Sequence, residues 1–277
     1  MRLEDAEAAD DLSHALWGGA PVDPERARRA RGLARIHHLA ATDPGGAWVA
    51  EAGGDFAGAA LAIVREGVWG LSLLIVDPRH QGRGIGRRLF DASLGLAAGA
   101  RGGIILSSEH PAAMHSYARA GFALHPSVTA TGVVAAQRIP DDAGRVVEVG
   151  EDGIAVADAI GRDVRGAGHG RDLPVLLAHG ARLLLLDDRA FVVTAVADTK
   201  VYLLAARDEA AARTVLWAAL ASAGSGATVE VDVLTAAQQW AIETCLAAGL
   251  ALSPAGPLFV RGALGPMAPY LPSGAYL

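Results

Sequence analysis

Apolar and polar positions change their period several times along this chain, and each change predicts an element. Over residues 1–39 apolar residues recur at helical spacing in polar surroundings. Asp23-Pro24-Glu25 reads there as an N-cap, a proline at the first helical position and an acidic first turn. Short apolar runs follow at residues 47–51, 56–64 and 68–76, and each is predicted as a strand. Glu66-Gly67 supplies a hairpin turn between the last two. Asp77-Pro78 closes the third run. Over residues 84–98 the period returns to 3.6, with Ile85, Leu89, Ala92 and Leu96 on one face. Glycines 99, 102 and 103 stop this helix. A buried strand is expected at 104–106, a helix at 111–120, and two strands around Phe122 and over 131–139.

Residues 140–144 (Pro-Asp-Asp-Ala-Gly) form a polar, turn-rich break. The expected division is residues 1–140 and 145–277. Past the break the order starts again. Strand 146–149 and a mostly polar stretch to about 177 lead to strands at 182–186, 191–197 and 201–205. A helix over 208–223, a strand over 228–234 and a helix over 236–248 complete the pattern. One shift of 128 residues sets Tyr117-Ala-Arg-Ala-Gly121-Phe122 against Cys245-Leu-Ala-Ala-Gly249-Leu250. The same shift sets Leu73-Leu-Ile-Val76 against Val201-Tyr-Leu-Leu204. Two segments matching at one shift argue for an internal duplication.

Composition narrows the class. Hydrophobic residues make up 52%, enough for a sizeable core, and many are Ala, so that core uses small side chains. The net charge of −6 leaves no basic footprint for nucleic acid. The single cysteine, Cys245, excludes an intramolecular disulfide. No apolar run is long enough to span a bilayer, and residues 1–17 lack the apolar core of a signal peptide. A cytoplasmic protein without membrane or nucleic-acid partners is the expectation.

The chemistry concentrates between strand 68–76 and the helix after it, in Asp77-Pro-Arg-His-Gln81-Gly82-Arg83-Gly84-Ile85-Gly86-Arg87-Arg88. A strand, a glycine-rich turn and a helix N-terminus together offer unpaired backbone N–H groups and the positive end of a helix dipole, which favour phosphate. Three kinds of phosphate loop share this outline. A Walker A loop requires Gly-Lys-Ser/Thr, and this segment has no lysine. A dinucleotide fingerprint starting at Gly82 requires a glycine at position 87, which is Arg87. The remaining fit is a resemblance. Gln81-x-x-Gly84-x-Gly86 is similar to the acetyl-CoA loop of the GNAT superfamily of N-acetyltransferases, and Tyr117-x-x-x-Gly121-Phe122 resembles a second element of that family. The two motifs cover residues 73–124.

The resemblance implies an α/β (α+β) fold of two tandem GNAT-like domains, each a mixed, mostly antiparallel sheet flanked by helices. It implies that Leu74, Ile75 and Val76 pair with the pantetheine of acetyl-CoA. Gln81, Gly82, Arg83, Gly84, Ile85, Gly86 and Arg87 would hold the pyrophosphate, and no metal is called for. It further implies direct attack of an amine, from a small molecule or a peptide, on the thioester, with Tyr117 as general acid. Strand 71–76 carries no carboxylate. Glu109 is therefore the expected base, with His110, water or the C-terminal carboxylate of Leu277 as alternatives. In the second half the loop positions become Glu209, Ala212 and Thr214, and Tyr117 becomes Cys245. That half is expected to keep the fold, bind no CoA and wall the acceptor site, in a pseudo-dimeric monomer or a homodimer. A non-catalytic acyl-CoA sensor is the competing reading, and the substituted Arg87 position counts against a nicotinamide enzyme.

Overall fold

The computed structural model describes residues 1–2, 4–17, 24–195, 199–224 and 226–277, with the side chains of 24–28 and 195 set aside. The expected cap at Asp23 and the end of the strand expected over 191–197 lie outside these residues. The polar N-terminal stretch forms two helices, α1 (Asp5–Trp17) and α2 (Pro24–Thr42). Strands β1 (Ala47–Ala52), β2 (Asp55–Arg65) and β3 (Val68–Val76) make an antiparallel meander. The glycine turn leads into α3 (Ile85–Leu94), followed by β4 (Gly102–Leu106), α4 (Pro111–Arg119) and β5 (Ala123–Val133).

After the polar break come β6 (Val147–Val149), α5 (Ile154–Val164), α6 (Leu173–Ala178), β7 (Ala181–Leu186), β8 (Ala190–Ala195) and β9 (Lys200–Ala206). Then α7 (Glu209–Ser222), β10 (Thr228–Thr235), α8 (Gln239–Ala248), β11 (Ala251–Gly262) and β12 (Tyr270–Leu271) complete the described chain. At the 128-residue shift α4 falls on α8 and β5 on β11. The repeat read from the sequence is therefore a repeat of structure.

Three expectations change. Helices α5 and α6 occupy the stretch expected to be mostly polar, because Ile154, Ala157, Ile160 and Val164 bury one helical face. The two strands expected around 122 and over 131–139 are one strand, β5, which ends at Val133. Beyond it the chain turns to satisfy carbonyls at the end of α8: Ala135 N–H donates to Ala248 O at 3.3 Å and Arg138 Nη1 to Ala247 O at 3.2 Å. Strand β11 was not anticipated.

The strands join one continuous sheet in the order β1-β2-β3-β4-β11-β5-β10-β9-β8-β7-β6, with β12 added to β9. Thus β4 pairs with β11 rather than β5, while β5 lies between β11 and β10. Each half gives its last long strand to the other. The cores follow this exchange. One apolar cluster runs from Ile36 and Leu39 through Leu61 and Leu73 to Ile160, Leu183, Phe191 and Tyr276, so it belongs to both halves. Arg65, buried at the end of β2, reinforces the join. Its Nε and Nη2 donate to both carboxylate oxygens of Asp172 at 2.8 and 2.7 Å, its Nη1 donates to Asp43 at 2.7 Å, and His38 Nε2 lies 2.8 Å from Asp172.

Candidate active site

The β3–β4 pair opens the site. These strands are parallel and in register only from Val68/Gly102 to Leu71/Ile105. Beyond Leu71, β3 keeps its partner β2 but loses β4, so the edge of residues 72–76 is free on that side. The departure starts at a bulge. Leu61 and Ala62 of β2 oppose Leu73 and Leu71, which leaves Ser72 as the extra residue. The Ser72 hydroxyl is buried without a partner and lines the resulting cavity.

At the end of β3 the turn is pinned from behind. Asp77 accepts from Arg79 N at 2.8 Å and from the Arg79 guanidinium at 2.7 to 3.1 Å, and Asp77 N–H donates to Ala57 O at 3.0 Å. The Arg79 hydrogen bonds hold the Asp77 carboxyl down at about 2. Gln81 Nε2 donates to Val76 O at 3.2 Å, closing the turn. Gly82 and Gly84 then take φ of 74° and 76°, the left-handed region that glycine enters without penalty. A Cβ at either would meet nothing within 4 Å, so both face open space. Gly84 caps α3 with no side chain over the N–H groups of its first turn. Those donors and the helix dipole are free for an anion.

The cavity has a volume of about 1010 Å³. Leu74, Ile75, Val76, Gln81, Gly82, Gly84, Ile85, Gly86 and Arg87 line it at this end, as does Tyr117 from α4. Of the expected phosphate-loop residues only Arg83 is missing from the wall; its side chain is exposed. Tyr117 is buried among Phe90 and Phe259, with ring centroids at 5.0 and 5.4 Å. Burial pushes its hydroxyl well above the ordinary phenol value, so it stays protonated. Glu109 is exposed and outside the cavity wall, whereas its neighbour His110, just before α4, is in it. The Leu277 backbone oxygen accepts from the Arg165 guanidinium and lies 2.8 Å from His169 Nε2, and Leu277 is not part of the wall either.

Much of the remaining wall was missed by sequence reasoning. Arg35 from α2 and Ser13, Leu16 and Trp17 from α1 border it. The second half contributes Lys200, Val201 and Tyr202 of β9, Asp232 and Val233 of β10, and Pro272, Gly274 and Ala275 after β12. A second bulge aims Asp232 and Val233: the β10–β5 register shifts between Val231 and Leu234, and Val233 has φ of 59°, strained for a β-branched residue. Lys200 pairs with Glu230 at 2.6 Å and also with Asp232. Ser72, a hydroxyl inside an apolar strand, was the one local signal available. The other positions depend on pairing between the halves.

The corresponding place in the second half is closed. Asp208 caps α7, accepting from Ala211 N at 2.9 Å, and binds Arg189. The splay between β9 and β10 is filled by β12, with Tyr270 opposite Ala205 and Leu271 opposite Leu204. Cys245 is buried, and burial raises its thiol to about 12. Among the described residues no group of three or more His, Cys, Asp or Glu could hold a metal, and no helix is long and apolar enough to cross a membrane.

No curated protein matches the chain in sequence. Among solved structures it superposes on a provisionally named acetyltransferase from Pyrococcus horikoshii with a TM-score of 0.80, over 100% of this chain and 94% of that one, at 16% identity. A GCN5-related N-acetyltransferase from Kribbella flavida gives 0.57 over 95% and 70% at 16% identity. A tandem GNAT protein from the clavulanic acid biosynthesis pathway gives 0.53 over 94% of each chain at 13% identity. These likenesses are of fold. Sequence speaks for the first half, which matches the acetyltransferase (GNAT) family over residues 9–122. The glycine turn, the splayed strands and Tyr117 lie inside the span, residues 9–122, that matches the GNAT acetyltransferase family, within a chain whose fold is that of a tandem GNAT protein.

Proposed function

We propose that this protein transfers an acetyl group from acetyl-CoA to an amine by direct attack, using one site in its first half. The observation that carries the reading is the uncapped N-terminus of α3, reached through Gly82 and Gly84, opening on the same cavity as the free edge of β3 and Tyr117. The residues present fit the cofactor. Backbone N–H groups of residues 81–87 supply donors for a diphosphate, and the free edge of Leu74, Ile75 and Val76 supplies pairing groups for amides of an extended arm. Acetyl-CoA when bound contributes the thioester. A backbone N–H near Ile75 stabilises negative charge on its oxygen, and the protonated Tyr117 hydroxyl gives a proton to the departing sulfur.

The amine must be neutral to attack. His110 is the wall residue nearest in sequence to the expected base Glu109, and we assign it the role of accepting the proton, directly or through water. We take residues 1–140 and 145–277 as the two domains, joined by the exchange of β5 and β11. The second binds no CoA, which the Asp208 cap and the inserted β12 support. It serves as the wall facing the acceptor.

Calorimetry of the full chain with CoA, then acetyl transfer to an amine panel, tests the reading. Absence of CoA affinity in folded protein would refute it. A second reading, an acyl-CoA sensor, is favoured by the missing carboxylate on β3 and by Glu109 lying outside the wall. Tight binding with no transfer to any acceptor would select it.

A further inference from the structure

The cavity wall carries an arginine that the fold leaves without an ion pair among the described residues. Arg35 comes from α2 and lines the cavity. Its Nε is inaccessible to solvent and has no hydrogen-bond partner. Among the described residues no carboxylate lies within ion-pair distance of it. Burial disfavours its protonated form, and Tyr276, Asp10 and Tyr202 offset that only in part. Asp10 is directed elsewhere, its carboxylate packing on Gly32. The cavity cation that the second half contributes, Lys200, is satisfied by Glu230 and Asp232. The contrast with Arg65 is direct, since that buried arginine has two carboxylates.

A half-buried guanidinium with its Nε sealed from solvent and no ion pair is costly, and ligands commonly supply what the fold withholds. Tyr276 and Tyr202 set Arg35 against the second half, whereas the turn at 81–87 ends β3 of the first. Arg35 thus calls for an anion besides the one at α3.

We propose that the acceptor amine carries a carboxylate, as an amino acid does, and that Arg35 binds that carboxylate at the end of the cavity walled by Tyr202. This deepens the acetyl-transfer reading and rests on it. Among the described residues the wall holds one carboxylate, Asp232, and it is already neutralised by Lys200. A polyamine would meet Arg35 with like charge, so the cavity disfavours it.

The test uses the full chain saturated with acetyl-CoA and matched acceptors: α- and ω-amino acids, each beside its own carboxamide, with spermidine as a polycation. At least one acid should exceed its amide in kcat/KM by roughly ten- to hundredfold, the span of a charge-assisted pair. Arg35→Gln should bring acid and amide to within about threefold while leaving CoA affinity unchanged, and Arg35→Lys should restore part of the gap. Amides or spermidine turned over as well as the acids would overturn the proposal. So would a preference that survives in Arg35→Gln. If CoA binds but nothing is acetylated, the transfer reading fails by itself. Calorimetric titration of acid and amide into the CoA complex then decides the Arg35 question: no acid binding in preference to its amide defeats it, and a preference abolished in Arg35→Gln sustains it.

Discussion

Gly84→Ala isolates the role of the turn. Gly84 has φ of 76° and ψ of 7°, and a Cβ there would touch nothing within 4 Å. The folded protein loses no packing, so the structural cost is only that of a left-handed non-glycine residue, about 1–2 kcal/mol. For a chain of this size that lowers Tm by roughly 2–5 °C. The ligand side is different. The new methyl stands where the N–H groups of residues 84–86 face a diphosphate, and a hydrogen bond to a charged group is worth about 1.5–3 kcal/mol. Losing one weakens CoA binding roughly ten- to hundredfold. Gly99→Ala is the control: φ is 87°, nothing lies within 4 Å of its Cβ, and it is not part of the cavity wall. Scanning fluorimetry should show similar losses of Tm in both variants, and calorimetry should show a loss of CoA affinity in Gly84→Ala alone. If Gly84→Ala binds CoA within threefold of the parent, the amides of this turn do not grip the diphosphate.

Tyr117→Phe should lower kcat about a hundredfold, the low end for a positioned acid, with Kd for CoA nearly unchanged. Because burial raises the Tyr117 hydroxyl, the pH–rate profile of the parent should show no alkaline loss from this group below about pH 10. Asp172→Asn removes a buried charge opposing Arg65; urea unfolding should show a loss of about 3 kcal/mol. His169 is buried beside Arg165, and burial first, then that charge, lowers it to about 3. Its folded value lies below the unfolded one, so its contribution is complete above about pH 6.5 and fades as pH falls toward 3, by up to about 1.4 kcal/mol per unit. Urea midpoints across that range should show this slope, and His169→Phe should flatten it.

What could be read in the sequence was local. The turn at 81–86, the helix behind it and Tyr117 depend on glycine geometry and on neighbours within a few residues, so the string of letters carries them. The repeat was legible because Tyr117–Phe122 and Cys245–Leu250 occupy matching helix ends. Helix α5 escaped notice because Ala and Gly dilute its apolar face, and α6 because six residues are too few to show a helical period. The exchange of β5 and β11 has no local mark: neither strand alternates cleanly, and the choice between β4 and β10 as neighbour is made by the assembled sheet. Arg35 is one arginine among several in α2, and only its sealed Nε and its place in the cavity wall distinguish it.

The two halves differ where an inherited pair of sites would have become one. Both halves hold a parallel pair that diverges, β3 with β4 and β9 with β10. In the first the gap is open and the helix beyond it uncapped. In the second the gap takes in β12, and Asp208 covers the helix. The strand that fills the second gap then continues as Pro272, Gly274 and Ala275 into the wall of the first cavity, and ends its described course with Leu277 held by Arg165 and His169. One segment thus occupies the second slot and shapes the first. The exchanged strands tie these consequences together, because neither half can close its sheet without the other. On this reading, removing residues 270–277 would open two faults at once: an unpaired edge on β9, exposing the buried Leu204 and Ala205, and a breach in the acceptor wall. The protein should lose stability and acceptor discrimination together while CoA, gripped wholly by the first half, still binds.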